Sequence, residues 1–224
     1  MQDLTDNVWL LTYPLKHLGF DMGRNVTILR LADSRLVIHS TGPFTPGDVA
    51  AIRQLGQPAW MLETMLRHDT YVKEALTAFP GIPYLAPEGF AEAISYPTAP
   101  LVPPPAAWSG QVEVLELQGV PSMRETVVLH VPSRTLIVAD LAMNFPADQP
   151  LWQELLLKIA VGKHHAPGIS RSITMLMKDE TALKASIATM MAWDFERLVV
   201  GHGLPILSGA KARLGAALAE ANLL

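Results

Sequence analysis

Three stretches of the chain share one design, in which a run of apolar residues ends at a single ionisable side chain. The runs are Trp60-Met61-Leu62 before Glu63, Leu136-Ile137-Val138-Ala139 before Asp140, and Leu198-Val199-Val200 before Gly201-His202. A short run that is apolar at every position is typical of a strand covered on both faces, because a strand with one wet face alternates between apolar and polar residues. The pattern therefore predicts a layered fold with buried sheets, and it places acid and imidazole groups where strands end.

The composition supports a large buried core and excludes several kinds of site. Of the 224 residues, 50% are hydrophobic and 17% are charged, and this length is sufficient for one large domain. The chain has no cysteine, so disulfides, zinc–cysteine sites and thiol catalysis are excluded, and a metal would have to be held by His, Asp or Glu. The net charge of −4, with no run of Lys or Arg, provides no surface for nucleic acid or for an anionic membrane.

The first six residues, Met1-Gln2-Asp3-Leu4-Thr5-Asp6, are acidic and lack the basic and long apolar regions of a signal peptide. Elsewhere, no apolar run approaches the length of about 20 residues that a membrane-spanning helix needs. We therefore expect a soluble, cytoplasmic protein that binds neither nucleic acid nor membrane. The sequence gives no indication of the oligomeric state.

Turn and cap signals divide the first half of the chain into strands and helices. Val8-Trp9-Leu10-Leu11 is predicted to be the first strand, and residues 25–31 and 35–40 are predicted to form a hairpin. Thr45-Pro46-Gly47-Asp48 predicts the start of a helix, with Thr45 as N-cap and proline at the first helical position. We interpret His39, in the second hairpin strand, as a packed or hydrogen-bonded sheet residue rather than a ligand.

A proline-rich stretch at residues 97–110 predicts a semi-extended connector, with Trp108 anchoring it to the body of the protein. A second group of strands and helices follows it. The strands are predicted at residues 112–117, 126–131, 135–139 and 198–200, and the helices at residues 150–161, at 179–193 with Asp179 as cap, and after Ser208 as cap. This order predicts one domain over residues 1–224, with two similar halves packed sheet to sheet and helices outside.

The three strand ends resemble the metal-site segments of the metallo-β-lactamase fold. The resemblance rests on the stretch from Glu63 to His68, the strand that ends in Asp140, and Val199-Val200-Gly201-His202-Gly203. A closer resemblance is to a poorly characterised branch of that fold, the DUF4336 domain family, supported by Ser133-Arg134-Thr135-Leu136-Ile137-Val138-Ala139-Asp140-Leu141. The resemblance implies a four-layer αββα sandwich of two mixed β-sheets packed face to face, with the metal site at one edge of the sheets.

The family pattern is His-x-His-x-Asp-His after a strand, a further His before a hairpin, an Asp after the hairpin and a late His. In this chain Glu63 stands at the first His, Met65 at the second and Arg67 at the Asp. The hairpin His has no counterpart, although Glu125 and Ser122 stand in its neighbourhood. The resemblance therefore implies that the first metal position has been lost.

The second metal position keeps His68, Asp140 and His202. Two imidazoles and one carboxylate form a ligand set that serves catalytic zinc and non-haem iron alike. Our first hypothesis is a hydrolase of the metallo-β-lactamase fold with one zinc or iron ion on these three residues and Glu63 as an additional ligand. Asp140, His202 and Arg67 would be its catalytic residues, and its substrate would be a small molecule that is anionic if Arg67 supplies a fixed charge.

The second hypothesis is a catalytically inactive member of the fold that binds a small anion or a protein through the same pocket. Its side chains would form an ion network without metal, in which Arg67 turns inward and pairs with Asp140 or Glu63. His164 and His165 lie in a loop between two predicted helices, where they are either plain surface or additional acid, base or ligand groups.

Overall fold

A computed structural model of the chain describes residues 1–17, 20–146 and 167–224. The predicted helix at residues 150–161 and the pair His164 and His165 lie outside the described residues. The described helices are α1 (Pro46–Leu55), α2 (Val72–Ala78), α3 (Phe90–Ile94), α4 (Arg171–Leu176), α5 (Glu180–Ala192) and α6 (Ala210–Glu220). None of these helices is long and apolar enough to cross a membrane.

Short strands make up most of the remaining regular structure in the described part of the chain. They are β1 (Gln2–Thr5), β2 (Val8–Tyr13), β3 (Lys16–His17), β4 (Phe20–Asp21), β5 (Arg24–Arg30), β6 (Arg35–His39), β7 (Gln57–Leu62), β8 (Tyr84–Ala86), β9 (Ala99–Pro100), β10 (Val112–Glu116), β11 (Thr126–His130), β12 (Thr135–Ile137), β13 (Ala142–Met143), β14 (Gly168–Ile169) and β15 (Arg197–Val199).

Two mixed sheets form the centre of the fold. The larger has the order β1-β2-β5-β6-β7-β8-β9, with antiparallel pairing from β1 to β6 and parallel pairing from β6 to β9. The smaller has the order β10-β11-β12-β15, and β12 and β15 are its parallel pair. In the described part of the chain, seven strands of the larger sheet therefore face four strands of the smaller one.

Three apolar clusters show the order of the layers. One lies between the sheets and contains residues of both, among them Leu29 and Trp60 of the larger sheet and Val128 and Ile137 of the smaller. The second joins the larger sheet to α1, α2 and α3, and the third joins the smaller sheet to α5 and α6. The layers are therefore helix, sheet, sheet and helix, which confirms the predicted αββα sandwich.

Several local predictions are confirmed. The hairpin forms between β5 and β6, and Thr45 caps α1 in a capping box with Asp48. Asp179 caps α5 by accepting a hydrogen bond from the backbone N–H of Ala182. Trp108 anchors the proline-rich connector, because it is fully buried and packs edge-on against Trp60 with the ring centroids 5.8 Å apart.

Two local predictions are wrong. The strand at Val8 is the second rather than the first, since β1 precedes it and pairs with it. Ser208 does not cap the last helix. The N-cap of α6 is Gly209, in the left-handed conformation at φ 62° and without a side-chain cap, and its backbone N–H donates to Glu196 Oε1 at 2.6 Å. A carboxylate from a distant part of the chain thus takes the place of the expected local cap.

Candidate metal centre

The carboxyl ends of three strands, from both sheets, bring His68, Asp140 and His202 together. Asp140 follows β12, His202 follows the neighbouring parallel strand β15, and His68 ends the turn that follows β7 of the other sheet. Asp140 Oδ1 lies 3.3 Å from His68 Nε2 and 3.4 Å from His202 Nε2. One ligand atom from each of the three residues lies within 4.8 Å of the other two.

The ring of His202 is oriented by a backbone carbonyl. His202 Nδ1 lies 2.6 Å from the carbonyl oxygen of Gly23. A carbonyl can only accept a hydrogen bond, so Nδ1 must carry the proton. In the neutral ring Nε2 then presents its lone pair towards Asp140, which is the form in which an imidazole binds a metal ion.

The ring of His68 lies between two carboxylates. His68 Nδ1 lies 3.4 Å from Glu63 Oε1, and its Nε2 faces Asp140. The two imidazole rings meet edge to face, with centroids 5.5 Å apart and an interplanar angle of 78°. Both rings therefore have an acceptor at Nδ1 and turn Nε2 to the same carboxylate.

The charges of the three groups are strongly coupled. Burial alone would raise the pKa of Asp140, but the imidazoles of His68 and His202 outweigh burial and hold that pKa far below its usual range. Burial and the nearby Arg24 act to lower the pKa of His68, but Asp140 and Glu63 outweigh them and leave it raised. Asp140 is therefore ionised at neutral pH, and the centre attracts positive charge, whether as protons on the rings or as a metal cation.

A buried ion pair lies behind His68. Arg24 Nη2 donates to Glu63 Oε2 at 2.9 Å, and the two side chains are 3% and 0% exposed. Burial alone would raise the pKa of Glu63, but Arg24 and then His68 outweigh it and lower that pKa. The Glu63 carboxylate also accepts a hydrogen bond from the Thr41 hydroxyl at 3.2 Å.

Close backbone packing fixes the loops that carry Asp140 and His202. A Cβ on Gly201 would lie 2.6 Å from the carbonyl oxygen of Ala139, and one on Gly203 (φ +97°) would collide with the carbonyl oxygen of Asn144. Glycine is thus required at both positions. The side-chain amide of Asn25 donates to the carbonyl oxygens of Val200 and Gly203, both at 2.8 Å, which ties the His202 loop to the larger sheet.

Glu125 fixes the turn at Asp140 from the other side. It is buried, and its carboxylate accepts hydrogen bonds from the backbone N–H groups of Ala139 at 2.8 Å and Asp140 at 3.2 Å. Burial, and then the charge of Asp140, raise the pKa of Glu125 to about 7. Ser122, the other residue near the missing hairpin His, is exposed.

Glu63, Met65 and Arg67, which the resemblance puts at a first metal position, do not fit a metal ion. Glu63 is occupied by its ion pair with Arg24, Met65 is apolar and fully buried, and Arg67 is exposed with no ion pair to any described residue. Among the described residues, Arg67 forms neither of the pairings considered above, with Asp140 or with Glu63. The second position fits a cation, because two oriented imidazoles and an ionised carboxylate converge on it and form the metal-ligand group found among the described residues.

The sequence reasoning missed the residues that support the two rings. Gly23, Arg24 and Asn25 are consecutive, and they contact His202, Glu63 and the His202 loop respectively. The only signal in the sequence was their place at the start of a predicted hairpin, next to a polar loop. His39 is buried as interpreted, with its Nε2 3.3 Å from the Thr64 hydroxyl.

Solved structures of the same fold cover almost the whole chain. They include a metallo-beta-lactamase from Pontibacter korlensis, 15% identical over 97% of both chains with a TM-score of 0.60. The FIM-1 metallo-beta-lactamase of Pseudomonas aeruginosa in its mono-zinc form is 14% identical over 100% of this chain and 95% of that one, with a TM-score of 0.65. A metallo-beta-lactamase of Erythrobacter litoralis is 15% identical over 98% and 95%, with a TM-score of 0.66. No protein-family model and no curated protein sequence matches the chain. The chain has the metallo-β-lactamase fold.

Proposed function

We propose that this protein is a metal-dependent hydrolase whose site holds one zinc or iron ion on His68, Asp140 and His202. The observation that carries the proposal is the shared orientation of the two rings. His202 Nδ1 is hydrogen-bonded to Gly23, His68 Nδ1 lies 3.4 Å from Glu63 Oε1, and both rings turn Nε2 to within 3.4 Å of Asp140 Oδ1. Metal-binding histidines usually have a hydrogen-bond partner at the other ring nitrogen, which fixes the tautomer of the ring. FIM-1, which has a similar fold, is known in a mono-zinc form.

The roles of the side chains follow from their charges. A bound dication would acidify a water molecule and polarise a carbonyl or phosphoryl oxygen of the substrate. Asp140, held ionised by the two rings, would help to hold the ion, would supply negative charge to the site and would accept a hydrogen bond from a water molecule bound there. His202 is held rigidly by Gly23 and fixes the distance between the imidazole and carboxylate ligands.

Arg67 is proposed to attract an anionic small-molecule substrate. Its side chain is exposed and directly precedes His68 in the chain, so its charge is available at the surface. Changing Arg67 to Gln should raise KM for anionic esters or phosphodiesters and leave KM for neutral esters unchanged. Equal effects on both substrate types would remove Arg67 from the proposal.

The alternative of a catalytically inactive anion- or protein-binding module is not favoured. An inward Arg67 paired with Asp140 would have favoured it, whereas Arg67 is exposed and Glu63 pairs with Arg24. Assignment to the DUF4336 branch of the fold, one domain over residues 1–224 and a cytoplasmic location remain proposals from the sequence alone.

Metal analysis tests the central claim. Protein purified without chelators should contain zinc or iron close to one equivalent, and His202→Ala should lose it. His130→Gln is the matched control and should retain the metal. His130 is also fully buried, but it lies at the opposite end of β11 from Glu125, which contacts the turn at Asp140. A metal content far below one equivalent in the unchanged protein, or one that His202→Ala leaves unaltered, would contradict the proposal.

A further inference from the structure

A charged pair lies directly behind the candidate metal centre without facing the reaction site. Arg24 is 2% exposed and Glu63 is 0% exposed, so both charges are withdrawn from water. Burying an ion pair is costly, and replacing one with apolar residues is often neutral or stabilising. Burial of this pair therefore calls for a function other than stability.

The contacts of Arg24 are directed to one place. Its Nη2 donates to Glu63 Oε2 at 2.9 Å and to the backbone carbonyl of His68 at 3.3 Å. Its Nε donates to the backbone carbonyl of Thr41 at 3.3 Å. The guanidinium thus fixes both the carboxylate that faces His68 and the backbone from which His68 projects.

Glu63 in turn decides which nitrogen of His68 is available. Its Oε1 lies 3.4 Å from Nδ1, while Nε2 lies within hydrogen-bonding distance of Asp140 Oδ1, at 3.3 Å, so the two carboxylates compete for the ring proton. An ionised carboxylate only accepts hydrogen bonds. In the neutral ring, a carboxylate beside Nδ1 therefore favours the tautomer that carries its proton on Nδ1. Without it, Asp140 would favour a proton on Nε2, and the ligand nitrogen would be blocked.

We propose that Arg24 and Glu63 are positioning residues that hold His68 with its proton on Nδ1 and its Nε2 free to bind a cation. This inference rests on the proposed function for its purpose, but the tautomer itself does not require a metal ion. The same pair neutralises the half of the site that the fold otherwise gives to a first metal, because the guanidinium supplies the positive charge opposite Glu63.

The first test is the tautomer of His68 in metal-free protein, measured by long-range ¹H–¹⁵N correlation of the imidazole rings at a pH where both rings are neutral. The unchanged protein should show the proton of His68 on Nδ1. Glu63→Met should move it wholly or partly to Nε2. His202 is an internal reference, because its Nδ1 is held by Gly23 and its tautomer should stay the same. An unchanged His68 tautomer in Glu63→Met would overturn the inference.

The second test is Co²⁺ affinity, followed by visible absorbance. Glu63→Met and Arg24→Met should each weaken Co²⁺ binding by about 10–100-fold, as loss of a residue that orients a metal ligand usually does. Arg30→Met is the matched control, since Arg30 ends the same strand, β5, and contacts Asn7 and Leu55 instead. Arg30→Met should change the Co²⁺ affinity of the unchanged protein by no more than about twofold, far less than the loss expected when a residue that orients a metal ligand is removed.

The two tests separate the two claims. Failure of the unchanged protein to bind Co²⁺ would refute the proposed metal centre, and the tautomer measurement would still decide the role of Glu63. Normal Co²⁺ binding in Glu63→Met would refute the positioning role and leave the metal centre standing. If a single variant does not fold, the double variant Arg24→Met/Glu63→Met removes both charges together and should show the same change in the His68 tautomer.

Discussion

Replacing Arg24 with Met tests the energetics of the buried ion pair most directly. Methionine keeps much of the apolar stem and removes the guanidinium. It therefore leaves the Glu63 carboxylate, which is 0% exposed, without its cationic partner. It also leaves the backbone carbonyls of Thr41 and His68 without the donors that they have in the unchanged protein.

The size of the loss follows from that uncompensated charge. Removing one partner of a buried pair costs about 3–5 kcal/mol of the free energy of unfolding. In a chain of this size each kcal/mol lowers Tm by about 2–4 °C, so Tm should fall by about 6–20 °C. The double variant Arg24→Met/Glu63→Met should recover at least half of the lost free energy, because no buried charge remains unpaired.

Equilibrium urea unfolding of all variants in the presence of EDTA measures these values without a contribution from bound metal. Arg30→Met is again the control, because Arg30 is only half-buried and binds no acid, and it should lose less than Arg24→Met. The reasoning is refuted if Arg24→Met loses less than about 1 kcal/mol, the range of an exposed pair. It is equally refuted if the double variant loses the sum of the two single losses.

Three further results are expected. Gly203→Ala should lose at least about 3 kcal/mol of the free energy of unfolding and weaken metal binding, since the added Cβ would collide with Asn144. Gly209 also has a positive φ but has open space around it, so Gly209→Ala should lose only about 1 kcal/mol, and equal losses in urea unfolding would contradict this reasoning. Burial lowers the pKa of His130 from 6.5 to about 4, so unfolded chains gain a proton first as the pH falls, and about 3 kcal/mol of stability should be lost between pH 6.5 and 4; His130→Gln should remove that part of the pH dependence, and an identical profile would refute the assignment. Zn²⁺ at a hundred times its Kd should raise the free energy of unfolding by about 2.7 kcal/mol, reversibly with EDTA, and the same gain in His202→Ala would place the ion elsewhere.

The layered fold was predictable because its signals are local. Runs such as Leu136-Ile137-Val138-Ala139 indicate strands buried on both faces, and the capping residues Thr45 and Asp179 mark helix starts that the structure confirms. Ser208 was misassigned because the N-cap of α6 is set by a left-handed Gly209 and by Glu196, a residue from before the last strand. Such a distant carboxylate leaves no local pattern in the sequence.

The candidate site was only half predictable. Its converging residues, His68, Asp140 and His202, each end an apolar run or follow one closely, and the structure places them within 4.8 Å of one another. Arg24 gave no such signal, because a buried arginine and an exposed one look alike in a polar stretch. The sequence directed attention to Arg67 as the cation near Glu63, but the charge that Glu63 meets comes from 39 positions earlier in the chain.

The charges of the two halves of the site explain why only one of them has the features of a metal centre. In one half Glu63 and Arg24 cancel each other, so that half has no net charge for a cation to neutralise. In the other half the ionised Asp140 faces two nitrogens whose rings are each held by an acceptor at Nδ1. That half keeps a negative charge beside two ring nitrogens, which protons or a metal ion would satisfy. Glu63 therefore acts in both halves, because one of its oxygens pairs with Arg24 and the other faces Nδ1 of His68.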